Sequence, residues 1–186
     1  MRAWLGLDTF EIQADIARGR AIVASLSYVA SGSGLRRFVE GEYAMPSLGH
    51  CLCRAVQFEF EGRPSATFHC HCESCRRATS SPMTTWLTVP RAAFRLIKGE
   101  PSVYESSPGV RRGFCAVCGS PLFYGNDKSP DEIDLLAASL GDPTSVSPAR
   151  HVFVQEQLPW FEVHDQLPRY ATTMRSGAPP VRHGPR

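Results

Sequence analysis

Seven closely spaced cysteines constrain this chain more than any other feature. They read Cys51-Leu-Cys53, Cys70-His-Cys72-Glu-Ser-Cys75 and Cys115-Ala-Val-Cys118. Two cysteines separated by one or two residues can hold one ion from a single turn, so we expect each cluster to act as a unit. A closed structural zinc site takes four protein ligands, whereas a catalytic one keeps three and leaves a position open. Seven thiols therefore fit one closed site and one open site.

Spacing also indicates how the seven thiols divide. Cys70, Cys72 and Cys75 supply three thiolates from six residues, and any other grouping would split this tight cluster. The remaining four thiols then form a closed site, which would tie a turn early in the domain to one more than sixty residues later. That set is Cys51, Cys53, Cys115 and Cys118.

Each site has an alternative interpretation. The four outer cysteines could form disulfides or be buried thiols that act as small hydrophobes. The three-thiol cluster could be a second structural site, completed by a nearby histidine. The candidates are His69, His71 and His50. In a strand or tight turn, alternate residues point to opposite sides, which would carry His71 away from an ion, but spacing does not exclude His69.

Composition narrows the class of protein. The chain has 186 residues, 42% of them apolar and 20% charged, as in one ordinary globular domain. A formal net charge of +2 argues against a nucleic-acid surface. The apolar run 21–30 is too short to span a bilayer, and acidic residues precede it where a signal peptide would be basic. We expect a cytoplasmic protein with reduced thiols and no membrane partner, and the sequence gives no oligomeric state.

The chain divides into three parts by composition. Residues 1–46 are an N-terminal extension of unknown role, in which Leu7, Phe10, Ile12 and Ile16 predict an amphipathic helix. Residues 47–170 hold every cysteine. Residues 171–186, rich in Gly, Pro and Arg, are predicted to be a disordered tail.

Residues 47–170 show the pattern of a β-rich domain. Short apolar or alternating runs are separated by Gly- and Pro-containing turns, and a short helix is predicted at 73–78. For residues 131–140, periodicity does not separate helix from strand. The predicted strands are 55–60, 84–89, 94–97 and 121–124.

Three segments of the chain resemble the signatures of the glutathione-dependent formaldehyde-activating enzyme family, the GFA domain family. They are residues 51–58 (CLCRAVQF), 69–77 (HCHCESCRR) and 112–123 (RGFCAVCGSPLF). The likeness continues at 86–90, 94–99, 148–151 and 158–160, and covers roughly residues 48–170. Three cysteine motifs in the family's order are specific to membership and much less specific to a substrate.

The resemblance implies a fold, metals and an activity. The fold would be a β-tent of antiparallel sheets folded over one another, with few short helices. In this family the first and last motifs hold a structural zinc, here Cys51, Cys53, Cys115 and Cys118. The middle motif, here Cys70, Cys72 and Cys75, holds a second zinc at the active site. The implied reaction is the condensation of glutathione with formaldehyde to S-hydroxymethylglutathione. It is classed as a carbon–sulfur lyase reaction that proceeds in the reverse, bond-forming sense.

Other residues are candidates for the substrate site. Arg76 and Arg77 follow the third ligand and could offset its negative charge or bind a glutathione carboxylate, although a solvated pair on a short helix is the simpler interpretation. We interpret Trp86 and Trp160 as core residues. His151 could act as an acid or base, but a structural role is the simpler interpretation.

Two departures from the family pattern bear on specificity. Arg54 stands where the family usually has glycine, so the turn after Cys53 must avoid a positive φ or accept strain. Ser80-Ser81-Pro82 replaces a common Gly-Ala-Pro run. Residues 1–44 match nothing in the family, and we hypothesise that the native domain starts at Met45; an intact mass that includes residues 1–44 would contradict this.

A different class of function is also compatible with the sequence. A non-catalytic module could use both zincs only to hold its fold and bind a macromolecule with its surface. A zinc-stabilised methionine sulfoxide reductase fits less well, because the chain has no second CxxC pair outside the CxCxxC segment and no isolated cysteine.

Overall fold

The structure, a computed structural model, describes residues 13–15, 20–22 and 45–173. The chain forms two compact units, Met1–Met45 and Pro46–Arg186. In the first unit, strands β1 (Gln13–Asp15) and β2 (Arg20–Ile22) pair antiparallel. The helix predicted around residues 7–16 is therefore wrong at residues 13–15, where pairing with a partner strand decides the conformation. The four apolar residues on which that prediction rested lie outside the described residues.

The described part of the second unit, residues 46–173, is built from ten strands and one short α-helix, α1 (Glu73–Thr79). All four strands predicted from sequence are present, with bounds shifted by a few residues. The ambiguous segment 131–140 is a strand followed by a turn of 3₁₀ helix at Ala137–Ser139. The strands are β3 (Ser47–His50), β4 (Gln57–Phe60), β5 (Ala66–Cys70), β6 (Thr84–Pro90), β7 (Phe94–Lys98), β8 (Ser102–Ser107), β9 (Val110–Phe114), β10 (Pro121–Asn126), β11 (Glu132–Leu136) and β12 (His151–Val152).

These strands form two sheets. The larger has seven strands in the order β12-β5-β6-β11-β10-β9-β8, and the smaller has three in the order β3-β4-β7. Neighbouring strands are antiparallel except β12 and β5, which run parallel. The prediction of a mainly β fold made of folded-over sheets is confirmed, with one parallel pair that the sequence did not indicate.

The main core lies where the two sheets face each other. On β4, Phe58 and Phe60 are buried and alternate with the less buried Gln57 and Glu59, as expected for a strand with one face on the core. Each large apolar side chain contributes about 1.5–3 kcal/mol when fully buried. The buried residues of this core are Cys51, Val56, Phe58, Phe60, Leu87, Val89, Cys115, Leu122, Ile133, Leu135, Ala137 and Leu140.

A smaller apolar cluster surrounds the three-thiol motif. Its buried members come from β5, α1, β6, β11 and β12 and are Cys70, Cys75, Trp86, Leu136 and Val152. The interpretation of Trp86 as a core residue agrees with its burial, whereas that of Trp160 is wrong, because the Trp160 side chain is 70% exposed.

Helix α1 is short because both its ends are fixed by local interactions. Cys72 is its N-cap, with Sγ accepting from the backbone N–H of Cys75 at 3.4 Å. Ser80 ends it in the left-handed region at φ +51°, and its N–H donates to the Arg76 carbonyl. Within the described ranges, no helix is long and apolar enough to cross a membrane.

Part of the predicted domain division lies outside the described residues. Of the tail predicted to be disordered, residues 174–186 are not described. The boundaries at 46/47 and 170/171 stay predictions.

Candidate metal centres and the adjoining pocket

Four thiols from two distant turns meet at one point. The Sγ atoms of Cys51, Cys53, Cys115 and Cys118 all lie within 4.8 Å of one another. Cys51 and Cys53 are 3.6 Å apart at sulfur, and Cys53 and Cys115 are 3.8 Å apart. A zinc tetrahedron with Zn–S of about 2.3 Å has sulfurs about 3.8 Å apart. The group, named here the four-thiol site, therefore fits a tetrahedral ion.

The two turns that carry these thiols are closed by backbone hydrogen bonds. The Cys51 N–H donates to the Val56 carbonyl at 3.0 Å, and the Arg54 N–H donates to the Cys51 carbonyl at 3.0 Å. Arg54 has a φ of +59°, so the turn accepts the strain that replacing the family's usual glycine implies. In the second turn, the Cys115 N–H donates to the Ser120 carbonyl at 2.9 Å, and the Gly119 N–H donates to the Cys115 carbonyl at 2.8 Å. Gly119 has the positive φ of that turn.

Three thiols from one short segment form the second group, named here the three-thiol site. The Sγ atoms of Cys70, Cys72 and Cys75 lie within 4.8 Å of one another, with 3.4 Å between Cys70 and Cys72. Cys70 ends β5, Cys72 caps α1 and Cys75 lies on its first turn, so a strand-to-helix turn brings them together.

Within residues 45–173, no histidine or carboxylate joins the three-thiol site. His69, left open as a fourth ligand by the sequence, groups instead with His151 and Asp165. His71 is fully buried and hydrogen-bonds to His151.

Hydrogen bonds distinguish the three thiols electronically. Hydrogen bonds from the Cys70 and Cys75 thiols, and then from the Cys75 backbone N–H, lower the pKa of the Cys72 thiol. The same hydrogen bond to Cys72 raises the pKa of Cys70. Cys72 is therefore the first of the three to carry a negative charge.

Arg112 is a cation near the three-thiol site that sequence reasoning missed. Its charge contributes to lowering the pKa of Cys72, after the hydrogen bonds above. Its guanidinium lies 5.1 Å from the centre of the Tyr124 ring, and its Nε–H donates to the Ser106 hydroxyl at 3.2 Å. The only sequence signal was its place at the head of the third motif, three residues before Cys115.

A pocket opens beside α1. Its volume is about 310 Å³, at the lower end of the range for small-molecule sites. Trp160 provides exposed aromatic surface there, and Ser80, Ser81 and Pro82, the segment that departs from the family pattern, form part of the lining. The lining residues are Arg76, Arg77, Ser80, Ser81, Pro82, Leu158 and Trp160.

Both candidate arginines reach this pocket, but they differ in their contacts. The Arg76 Nε–H donates to the His71 carbonyl at 3.0 Å, which holds its side chain against the three-thiol turn. The exposed Arg77 forms an i,i+4 ion pair with Glu73 at 2.7 Å. Arg77 therefore matches the simpler interpretation of a solvated pair on a helix better than Arg76 does.

Comparison with known proteins finds a matching family and individual similar proteins. The glutathione-dependent formaldehyde-activating enzyme family model matches residues 46–156, which contain all seven cysteines. An uncharacterized lyase of Schizosaccharomyces pombe is 34% identical over 92 residues, which cover 44% of this chain and 61% of that protein. This chain thus spans less than two thirds of that relative. A Rhodobacter sphaeroides protein of known crystal structure has a TM-score of 0.48 at 22% identity, over 56% of this chain and 99% of that one.

The family model covers more than half of the 186 residues. It extends from β3 through the last 3₁₀ turn after β12, and so includes both groups of thiols. The resemblance seen in the three cysteine motifs is thereby confirmed, and this chain belongs to the glutathione-dependent formaldehyde-activating enzyme family.

Proposed function

We propose that this chain is a zinc-dependent enzyme of the carbon–sulfur lyase type that acts on a thiol adduct. The physiological thiol we favour is glutathione and the electrophile formaldehyde, joined as S-hydroxymethylglutathione. The observation that carries the proposal is a three-thiol group without a fourth ligand among the described residues, next to a pocket with two arginines.

The chemistry balances without an oxidant or reductant. The thiol sulfur forms a bond to the formaldehyde carbon, the carbonyl π electrons move to oxygen, and the thiol proton ends on that oxygen. When bound by the three thiolates, zinc would supply an open coordination position that lowers the pKa of a cofactor thiol. Three thiolates leave the ion a weak Lewis acid, so orienting a thiol suits this site better than activating water.

The residues around the three-thiol site suit a peptide thiol. The Arg76 Nε–H is bound by the His71 carbonyl, and we expect the terminal nitrogens of Arg76 to bind a carboxylate of the ligand. Trp160 and Leu158 offer apolar contact in the same pocket. Arg112 brings a positive charge to the thiols and would stabilise the negative charge that develops as the adduct forms.

The proposal is tested by zinc content, glutathione binding and turnover of wild type and Cys72→Ser. We expect two zinc ions in wild type and one in the variant, with glutathione binding lost by calorimetry. Serine is a preferred N-cap, so α1 and the fold should persist in circular dichroism. Wild type should also accelerate exchange between glutathione and ¹³C-formaldehyde by NMR, and the variant should not.

S-methylglutathione is the matched control ligand, because it keeps both carboxylates and lacks the thiol. We expect it to bind at least tenfold more weakly than glutathione. A wild type that holds two zinc ions but neither binds glutathione nor accelerates the exchange would overturn the proposal in favour of a non-catalytic zinc module.

A further inference from the structure

A chain of two hydrogen bonds, one buried and one partly buried, leads from the C-terminal part of the domain to the three-thiol site. The Asp165 Oδ2 lies 2.9 Å from the His151 Nε2. The His151 Nδ1 lies 2.8 Å from the His71 Nε2. Both histidine side chains are fully buried, and their rings stack with centroids 5.1 Å apart.

The carboxylate determines the direction of both hydrogen bonds. Ionised Asp165 can only accept, so His151 carries its proton on Nε2 and must accept on Nδ1. His71 therefore donates from Nε2, and its Nδ1 keeps a lone pair. That Nδ1 is buried without a hydrogen-bond partner in the described part of the chain, a lesser cost for an acceptor than for an N–H with no acceptor.

The His71 end of this hydrogen-bond chain lies between two of the thiols. His71 separates Cys70 from Cys72, and its backbone is held on both sides. Its N–H donates to the Val152 carbonyl at 3.1 Å, and its carbonyl accepts from Arg76. A shift of the His71 ring would therefore move the peptide that sets the distance between two candidate ligands.

The Asp165 end of the hydrogen-bond chain lies in the C-terminal segment that also contributes two residues to the pocket lining. Asp165 follows Leu158 and Trp160 in sequence, and its Oδ1 accepts from the Leu167 N–H at 3.1 Å. Arg169 lies 3.7 Å from the same carboxylate and donates to the Gln157 side chain at 2.8 Å. The hydrogen-bond chain thus joins the segment that carries one side of the pocket to the thiol turn.

We propose that Asp165, His151 and His71 form a positioning chain that orients Cys70 and Cys72 for metal binding. This inference rests on the part of the proposed function in which the three thiols hold a metal ion. It assigns the two buried histidines and the carboxylate to the support of that site. Outer contacts of this kind typically change metal affinity by about 10- to 100-fold.

A third metal site is the competing use of these residues. Nitrogens of His69 and His151 and an oxygen of Asp165 lie within 4.8 Å of one another. An ion there would take the His151 Nε2, so the proton would move to Nδ1 and leave His71 with a buried N–H that has no acceptor. The Arg169 cation also lies at this carboxylate. Both points favour the hydrogen-bond chain.

Cobalt titration of the whole protein tests the proposal with the four-thiol site as an internal reference. Affinity is measured by competition with a chelator, and ligand geometry by the sulfur-to-cobalt and d–d absorption bands. We expect Asp165→Asn to weaken the three-thiol site about tenfold and shift its d–d bands, with the four-thiol site unchanged. Asp127→Asn, which removes a surface partner of Arg111, is the matched control and should alter neither site.

A second pair of variants covers the case in which Asp165→Asn folds poorly. His71→Gln keeps a donor at the position of Nε2, and His71→Leu does not. We expect His71→Gln to stay within threefold of wild type and His71→Leu to lose about tenfold at the three-thiol site. Rescue by the conservative variant would not follow from a merely space-filling role.

Four results would overturn the proposal. Unchanged affinity and bands in Asp165→Asn and His71→Leu would remove the positioning role. Equal losses at both sites would indicate general destabilisation. Three cobalt ions in wild type and two in Asp165→Asn would assign a metal centre to His69, His151 and Asp165. Wild type that binds cobalt only at the four-thiol site would overturn the proposed function as well.

Discussion

The two thiol sites differ in how their cysteines are brought together. The four-thiol site combines Cys51 and Cys53 after β3 with Cys115 and Cys118 after β9, and so joins a strand end of the small sheet to one of the large sheet. The three-thiol site takes all its cysteines from residues 70–75. Closing the first requires most of the fold, whereas the second is nearly formed by local sequence.

This difference separates the expected roles of the sites. An ion that bridges distant segments stabilises the fold as a whole, because the unfolded chain offers no such site. An ion on a local turn contributes less to the fold and depends more on the groups around it. At the three-thiol site those groups are Arg112, the His71–His151 chain and the pocket.

The largest expected effect is the difference in folding stability between a variant that loses a ligand of the four-thiol site and one that loses a ligand of the three-thiol site. Cys115→Ser removes a fully buried thiol of the four-thiol site and should lower the free energy of unfolding by more than about 4 kcal/mol, the range of losses seen when a metal is removed. Cys72→Ser should lose less than half as much, since serine keeps the helix cap. Thermal melts of the zinc-loaded proteins measure both, and equal losses would contradict the distinction.

The second prediction, of intermediate size, is a loss of folding stability at acid pH. We expect it to come from the buried histidines beside the three-thiol site. Burial, then the positive charge of His151, lowers the pKa of His71 to about 4, and burial also lowers that of His151. Their stabilisation is complete above the ordinary histidine pKa of about 6.5 and is lost as the pH falls toward 4, because the unfolded chain takes up protons first.

Urea midpoints at pH 7, 6 and 5 measure this acid effect. We expect His71→Gln to show a shallower fall than wild type, by the uptake of at most one proton. His164→Gln replaces a histidine that is 86% exposed and should follow wild type. A slope identical in all three proteins would show that the buried rings do not account for acid sensitivity.

The smallest expected effect is the stability gained by replacing a left-handed residue with glycine near each thiol site. Arg54→Gly relieves a left-handed residue and should raise the free energy of unfolding by about 0.5–1 kcal/mol. Ser80→Gly tests the same conformation at the end of α1, on the three-thiol side, and should gain a similar amount. Urea unfolding measures both; a loss of stability in Arg54→Gly would mean that the arginine side chain contributes more than the strain costs.

The features of the fold and of the thiol sites that depend on neighbouring residues could be predicted from the sequence. The division of seven thiols into four and three followed from spacing, since a CxCxxC segment brings its sulfurs together in any strand-to-turn conformation. Strands such as β6 were visible in β-branched and aromatic runs, and the missing glycine marked Arg54 as a position that would either avoid a positive φ or accept strain; the structure shows the second outcome. These features depend on a few neighbouring residues.

Features set by distant contacts were not predictable. The parallel pairing of β12 with β5 joins residues about eighty positions apart, and it places His151 beside His69. The exposure of Trp160 depends on the path of the C-terminal segment, because an aromatic residue in isolation suggests core. Arg112 lies on β9, which three strands of the large sheet separate from β5, so no local pattern showed that its charge acts on the thiols.

The order of the ligands along the chain has a consequence for synthesis. A ribosome releases Cys70, Cys72 and Cys75 together, and Cys118 follows 43 residues later (118 − 75). At about 5–20 residues per second, that interval is about 2–9 s. During this time the nascent chain has a complete three-thiol turn and half of the four-thiol site. The three-thiol turn therefore has first access to metal, and the four-thiol site, which joins the sheets, can close only afterwards.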